Sequence, residues 1–229
     1  GIKNACGMEI NMNNQQFCFI ICSNNIQYET ECLRYINNLI IPDGFSIDIK
    51  VIHNAPSMTQ GYNKGMHSSD AKYKIYMHHD VFIINRHLLF DILEQFKNPA
   101  NGMIGLVGSE KLPKTCIMWN GHRYGCLYSN SIYSSSYNKL ELTRSSQKVE
   151  AVDGIFIATQ YDIPWREDIF HNWDFYDISQ SFEFRKAGYN VIIPPMSEPW
   201  CFHDNDIPDY TNYYTARKLF MKEYSDMLN

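Results

Sequence analysis

No stretch of this 229-residue sequence is apolar for long enough to span a bilayer, and the longest candidates, residues 17–22 and 81–84, are strand-sized. Basic residues are not in excess. The 20 Lys and Arg stand against 25 Asp and Glu, a net charge of -5, which argues against a general nucleic-acid binder. No CxxC pair occurs among the seven cysteines, and their odd number disfavours a zinc ribbon or a disulfide framework. Cys6, Cys18, Cys22, Cys32, Cys116, Cys126 and Cys201 sit mostly in apolar stretches, as buried free thiols of a reducing, cytoplasmic setting do. No GxGxxG follows the first apolar run and no GxxxxGK[ST] exists, so dinucleotide-dependent and P-loop enzymes are disfavoured. No internal repeat and no signal peptide are visible in a chain that opens on Gly1 rather than Met.

What is present is globular in character. Apolar residues make up 45% and charged residues 20%, enough to bury a large core and too apolar for disorder. Aromatic residues reach 14%, with 16 tyrosines leading, and their flat apolar faces with polar tips suit sugars and nucleobases.

The order of apolar patterns predicts an α/β sheet. Residues 17–22 form a continuous apolar run, a strand covered on both faces, ending in the turn Ser23-Asn24-Asn25. Tyr28, Cys32, Tyr35, Ile36 and Leu39 recur at helical spacing, and Ile47, Ile49 and Val51 alternate as a strand. Residues 54–65 read as a loop leading into a short helix near 63–68. Tyr73, Ile75 and Met77 form a strand that stops at His78-His79-Asp80. Leu88, Leu89, Ile92, Leu93 and Phe96 mark a helix, and 103–107 a further strand. Residues 109–150 are polar and lack periodicity, which predicts a flap or excursion. Residues 149–158 predict one strand returning to the sheet. Phe175, Ile178, Phe182 and Ala187 share a helix face ended by Gly188, residues 191–193 form a strand, and a helical tail occupies 206–229. The whole reads as a single domain over 1–229.

Ligands of an open α/β sheet bind beyond the carboxyl ends of its strands. Three segments lie there: Cys22-Ser23-Asn24, residues 54–57, and His78-His79-Asp80. The last is the most pointed, because one strand delivers two imidazoles and a carboxylate, a set suited to Mn²⁺ or a similar ion. Its competing role is a polar turn with Asp80 capping the next helix. Asp174 and Asp177 lie at the start of the 175–187 helix, where capping competes with catalysis. His203 follows the 191–193 strand. Trp119 and Trp173 offer flat ring faces for stacking, and core burial is the competing role for any tryptophan.

Taken together, these pieces resemble glycosyltransferases of the GT-A fold, inverting family-2 type, and most nearly the streptomycin-biosynthesis glycosyltransferase-like subgroup. The residues that carry the resemblance are Gly61-Tyr62-Asn63-Lys64-Gly65, Tyr76-Met77-His78-His79-Asp80-Val81-Phe82, Val152-Asp153-Gly154-Ile155-Phe156, Phe175-Tyr176-Asp177-Ile178, Lys186-Ala187-Gly188-Tyr189 and Phe202-His203, spread over roughly residues 15 to 205. The resemblance implies a nucleotide-diphospho-sugar transferase fold, a mostly parallel central sheet with helices on both faces. Asp80 matches the last acid of the family's Asp-x-Asp motif, and with His203 it would bind Mn²⁺ or Mg²⁺. His78 replaces the first acid of that motif. Asp177 matches the catalytic base, and Tyr176 replaces the Glu that usually precedes it. Cys22, Ser23, Asn24, Asn63, His78 and His79 would line the donor, and Asp153, Gly154, Trp173 and Asp174 the acceptor.

The donor would be a UDP- or dTDP-linked sugar and the acceptor a saccharide or another hydroxyl compound, with no nucleic acid and no transmembrane segment involved. A divalent ion stabilises the leaving diphosphate and a carboxylate takes the acceptor proton, a base that needs no strongly raised pKa. Two rival readings stand beside this one. A metal-dependent phosphoesterase built on His78, His79, Asp80, His203 and Asp204 would need more ligands than the sequence supplies. A non-catalytic sugar- or nucleotide-binding protein of the same fold draws its support from His78 and Tyr176 in place of acids.

Overall fold

The computed structural model describes residues 12–130, 135–137, 144–205 and 207–228; Cys6 and the remaining parts of the 109–150 excursion and of the 206–229 tail lie outside the described residues. Strand β1 (Asn13–Ser23) leads into helix α1 (Ile26–Asn37), strand β2 (Ser46–His53), helix α2 (Met58–His67) and strand β3 (Ala71–His78). β1 is buried from Phe17 onward and pairs in parallel with β2 on one side and β3 on the other, which sets Cys22 opposite Ile52 and His78. Asn25 caps α1, its side-chain oxygen accepting from the backbone N–H groups of Gln27 and Tyr28.

α2 starts at Met58, ahead of the predicted 63–68, with Ser57 as its cap. Gly61 and Gly65 do not mark a loop here. They let the helix lie close on β1: a Cβ on Gly61 would stand 2.4 Å from Cys22 Sγ, and one on Gly65 2.3 Å from Ile20 Cγ2. Phe17 points to the opposite face, since side chains alternate along a strand. It stacks on Tyr73 with ring centroids 5.1 Å apart, and Tyr73 stacks on Phe96 of helix α3 (Leu88–Phe96) at 6.0 Å. Helices therefore cover both faces.

The remaining strands are β4 (Val81–Ile83), β5 (Asn101–Gly105), β6 (Val107–Ser109), β7 (Arg123–Gly125), β8 (Tyr128–Asn130), β9 (Ser135–Tyr137), β10 (Gln147–Lys148), β11 (Ala151–Val152), β12 (Phe156–Thr159), β13 (Asn190–Ile193) and β14 (Cys201–Asp204). Helix α4 (Tyr176–Lys186) precedes β13, and helix α5 (Tyr213–Glu223) follows β14. The central sheet runs β10-β13-β5-β12-β3-β1-β2. It is mixed: β2, β1 and β3 are mutually parallel, as are β5 and β13, whereas β12 is antiparallel to both β3 and β5, and β10 to β13.

Two predicted strands each divide between sheets. The 103–107 run breaks at Leu106, and the 149–158 run breaks at Asp153-Gly154-Ile155. β5 and β12 stay in the central sheet, while β6 and β11 form a small sheet with β7. The apolar run around Leu106 has no mark for such a switch, whereas Asp153-Gly154 is a turn dipeptide within the second run. A third sheet, β4-β14-β8-β9, makes residues 201–204 a strand and sets His203 opposite Val81.

α4 is buried nearly all round rather than along one stripe. Phe182 meets Phe220 of α5 at 5.0 Å, and Phe184, on another side, lies against β5, where a Cβ on Gly102 would come within 2.8 Å of it. The helix ends as predicted at Gly188, whose φ of +92° suits glycine. Among the described residues no helix is long and apolar enough to cross a membrane, and the six described cysteines are buried and outside any disulfide.

Candidate active site

The end of β3 gathers a cluster of imidazole and carboxylate side chains. His79 and Asp80 form the turn between β3 and β4, and β4 pairs with β14, so Asp80 and His203 come together although 123 positions separate them in the sequence. The Asp204 backbone N–H donates to the Asp80 carbonyl at 2.9 Å, which fixes that register. His203 Nε2 stands 3.3 Å from Asp80 Oδ1, and His78 Nδ1 stands 3.8 Å from the same oxygen. Asp80 Oδ1 is buried and has no partner in hydrogen-bonding geometry. One ligand atom from each of His78, Asp80 and His203 lies within 4.8 Å of the others. An orphaned carboxylate oxygen between two imidazoles is a donor set that fits a divalent ion. Burial acts to raise the Asp80 carboxyl, but His203, His78 and His79 together outweigh it and hold Asp80 below the usual carboxylate range. Burial pushes the His78 imidazole down, toward the neutral form that ligates metals.

The switch from β11 to β12 places the second part of the site. The His78 backbone N–H donates to the Ile155 carbonyl at 3.1 Å, which ties the turn Asp153-Gly154 to the end of β3. Gly154 N–H donates to Asp177 Oδ2 at 2.9 Å, and Ile178 N–H donates to Asp177 Oδ1 at 2.9 Å. The Asp153 carboxylate accepts from Trp119 Nε1–H at 3.0 Å and from Ile155 N–H at 3.0 Å. Burial first, and the nearby Asp153 charge second, push the Asp177 carboxyl up to about 7, a rise that a base of the expected kind does not need. The sequence shows neither cause, since Asp153 and Asp177 meet only in the folded chain.

Asp177 does not cap α4 in the ordinary way. The residue before the helix, Phe175, has φ +57° and makes no side-chain cap bond. A bulky residue in this left-handed region is strained, and such strain persists only where packing over-determines it. Tyr213 and Phe220 of α5 supply that packing, with ring centroids 5.1 and 5.4 Å from Phe175.

Gly154 is fixed by close approach. A Cβ there would lie 2.3 Å from Tyr176 Oη and 2.6 Å from its ring carbons Cε2 and Cζ. Gly154→Ala should therefore push Tyr176 from its place and cost about 1–3 kcal/mol through overpacking. The expected readout is a melting temperature lowered by about 2–4 °C per kcal/mol. An unchanged melting curve would mean that the turn yields freely.

Two adjoining cavities open at this site. One, of about 260 Å³, is lined by Cys22, Asn24, Met58, His78, His79, Asp80 and Trp173. The other, of about 170 Å³, is lined by His78, Trp119, Asp153, Trp173, Asp174, Asp177 and Tyr213 among others. His78 and Trp173 border both. Trp119 and Trp173 are 39% and 48% exposed rather than spent in the core, and the Arg123 guanidinium lies over one face of Trp119, 5.1 Å from its ring centroid. Asp174 is partly buried and its carboxyl is raised, by burial first and by Asp209 second.

Most of the sequence-derived candidates gather here, with two exceptions. Asn63 was expected on the donor side, yet it is buried and lines neither cavity. Its amide donates to the Trp165 carbonyl and to Glu167 at 2.9 Å each, and its oxygen accepts from Trp165 N–H at 2.8 Å, so it braces the segment that leads to Trp173. Ser23 is buried and lines neither cavity, its hydroxyl near Asn25 and 3.3 Å from His79 Nδ1. Sequence reasoning missed Met58 and Tyr213, which carry no motif and reach the cavities only through packing. It also missed the role of Tyr176, whose hydroxyl meets His78 Nε2 at 2.5 Å.

Residues 18–224 match the model of a family described as glycosyltransferase like. No curated protein sequence matches the chain. Among solved structures, S. aureus TarS superposes with a TM-score of 0.60 at 10% identity, covering 91% of this chain and 39% of that one. S. aureus TarS 1-349 in complex with UDP-GlcNAc gives 0.58 at 11% identity, covering 91% and 66%. The mannosyltransferase PcManGT from Pyrobaculum calidifontis, in complex with GDP-Man and Mn²⁺, gives 0.56 at 10% identity, covering 96% and 65%. The chain thus spans 39% to 66% of the length of these neighbours.

Proposed function

The chain belongs to the glycosyltransferase-like family and has the α/β fold of GT-A enzymes, and from that premise we propose that it transfers a sugar from a nucleotide-diphosphate donor to a hydroxyl acceptor with inversion, in a metal-dependent reaction. One observation carries the reading. Asp80 and His79 line only one cavity, Asp177 and Asp153 line only the other, and the two cavities adjoin at His78 and Trp173. A leaving group and a base on opposite sides of one carbon are what a single in-line displacement requires.

The donor diphosphate lies in the cavity of Cys22, Asn24, His79 and Asp80. An ion held by Asp80 and His203, Mn²⁺ or Mg²⁺, supplies charge neutralisation to the departing diphosphate when bound. Asp177 takes the proton of the acceptor hydroxyl as its oxygen bonds to the anomeric carbon and the bond from that carbon to the diphosphate oxygen breaks. Gly154 N–H and Ile178 N–H hold the carboxylate in place. Trp173 and Trp119 offer stacking faces to a saccharide acceptor. The cavity's carboxylates Asp153, Asp174 and Asp177, with no Lys or Arg among its described lining residues, favour an uncharged acceptor over an anionic one. UDP or dTDP is the expected nucleotide. The streptomycin-type subgroup and a cytoplasmic setting complete the reading, the latter supported by the buried thiols outside any disulfide.

The test is a thermal-shift screen of nucleotide sugars with and without Mn²⁺. A ligand that binds only the folded chain at 100 times its Kd stabilises by ~2.7 kcal/mol. A UDP- or dTDP-sugar should raise the melting temperature chiefly in the presence of Mn²⁺. A screen in which no nucleotide sugar shifts the melt, with or without metal, would sink the proposal.

A further inference from the structure

Two residues that depart from the family's acidic pattern, His78 and Tyr176, touch each other. They lie 98 positions apart in sequence, yet Tyr176 Oη meets His78 Nε2 at 2.5 Å. That contact occupies one ring nitrogen and leaves Nδ1 on the side of Asp80. We propose that His78, Asp80 and His203 form a two-imidazole, one-carboxylate site that selects a divalent transition ion over Mg²⁺, with Tyr176 as the residue that positions His78. The inference deepens the transferase reading by naming the class of ion its donor site takes, and it rests on that reading only for what the ion does.

Metal–nitrogen bonds of ~2.1 Å put ligand atoms on adjacent corners of a tetrahedron or octahedron ~3.0–3.4 Å apart. His203 Nε2 and Asp80 Oδ1, 3.3 Å apart, already fit that spacing. His78 Nδ1, at 3.8 Å, reaches it by a small ring rotation. When Nδ1 ligates, Nε2–H donates to the Tyr176 oxygen, the outer hydrogen bond that sets tautomer and ring orientation in histidine metal sites. Tyr176 is buried and cannot drift: Gly154 lies against its ring, and the rings of Tyr62 and Trp165 stand 6.0 and 6.2 Å away. The donor set decides the ion. Mg²⁺ takes oxygen ligands in near-ideal octahedra, whereas imidazoles suit the later divalent ions. This site offers Mg²⁺ a single carboxylate.

The experiment uses the full chain stripped with EDTA and titrated with Co²⁺, Mn²⁺ or Mg²⁺ alone, followed by calorimetry and by the visible absorption of bound Co²⁺. Co²⁺ should bind at least ~10-fold more tightly than Mg²⁺, and His78→Asp should narrow that ratio by at least ~10-fold. Tyr176→Phe keeps the ring and removes the hydroxyl. It should weaken Co²⁺ by ~10–100-fold and shift the absorption band, with the metal-free melting temperature little changed. Equal affinities for Co²⁺ and Mg²⁺, or a Tyr176→Phe protein with wild-type Co²⁺ affinity and spectrum, would overturn the inference. UDP titrated separately keeps the two readings apart. Selective metal binding without UDP binding removes the transferase and leaves this site standing, and UDP binding without metal selectivity does the reverse.

Discussion

Asp177→Asn should bind UDP with Mn²⁺ as the wild type does and transfer sugar ~10²–10⁴-fold more slowly, the usual worth of a positioned general base. Asparagine keeps the shape and still accepts a hydrogen bond from Gly154 N–H or Ile178 N–H, but it has no basic oxygen. The pH dependence of the wild type carries the same signature. A carboxyl raised to about 7 is protonated below that pH, so kcat/KM should fall toward acid from near neutrality, well above the region where an ordinary aspartate titrates.

Stability should move the opposite way. In the unfolded chain Asp177 loses its proton near pH ~3.9, and in the fold near 7. Between these values the folded state holds more protons, so stability declines as pH rises through the interval and is lowest, as far as this group is concerned, above 7. Asp177→Asn removes that penalty. At pH 8 without metal it should melt higher than the wild type, by about 2–4 °C for each kcal/mol recovered. A slower and more stable enzyme is the mark of a group kept for chemistry at a cost in stability. Transfer at a near wild-type rate would strip Asp177 of the role.

Asp80→Asn carries the second large effect. It removes the one carboxylate of the cluster while keeping its volume. The Mn²⁺-dependent part of the calorimetric heat with UDP should vanish, a loss of at least ~10²-fold in metal affinity. His203 and His78 then face an amide, so the fold should survive and its melting temperature should no longer respond to Mn²⁺. Unchanged heat would take Asp80 out of the metal role.

How much of this was legible before folding depends on how local each signal is. The end of β3 could be read because an alternating strand and the polar triplet His78-His79-Asp80 adjoin in sequence. α4 and its stop at Gly188 were legible for the same reason. α2 was misplaced because Gly61 and Gly65 look like loop residues until Cys22 and Ile20 are seen against them. Asn63 looked like a ligand contact because a polar side chain in a motif gives no hint that Trp165, 102 positions away, uses both ends of its amide. The raised carboxyl of Asp177 depends on burial and on Asp153, and neither leaves a trace in the chain near residue 177. The left-handed Phe175 depends on rings from a helix some forty positions later.

The placement of β12 has a consequence for how the molecule is made. It stands between β3 and β5 in the central sheet and pairs with both. On a growing nascent chain those two strands stay open borders, each with unpaired backbone groups that invite a foreign partner, until residues 156–159 slide between them. The same arrival brings the Asp153-Gly154 turn up against His78. Closing the seam thus also sets the turn on which Asp177 and Tyr176, from the later α4, come to rest.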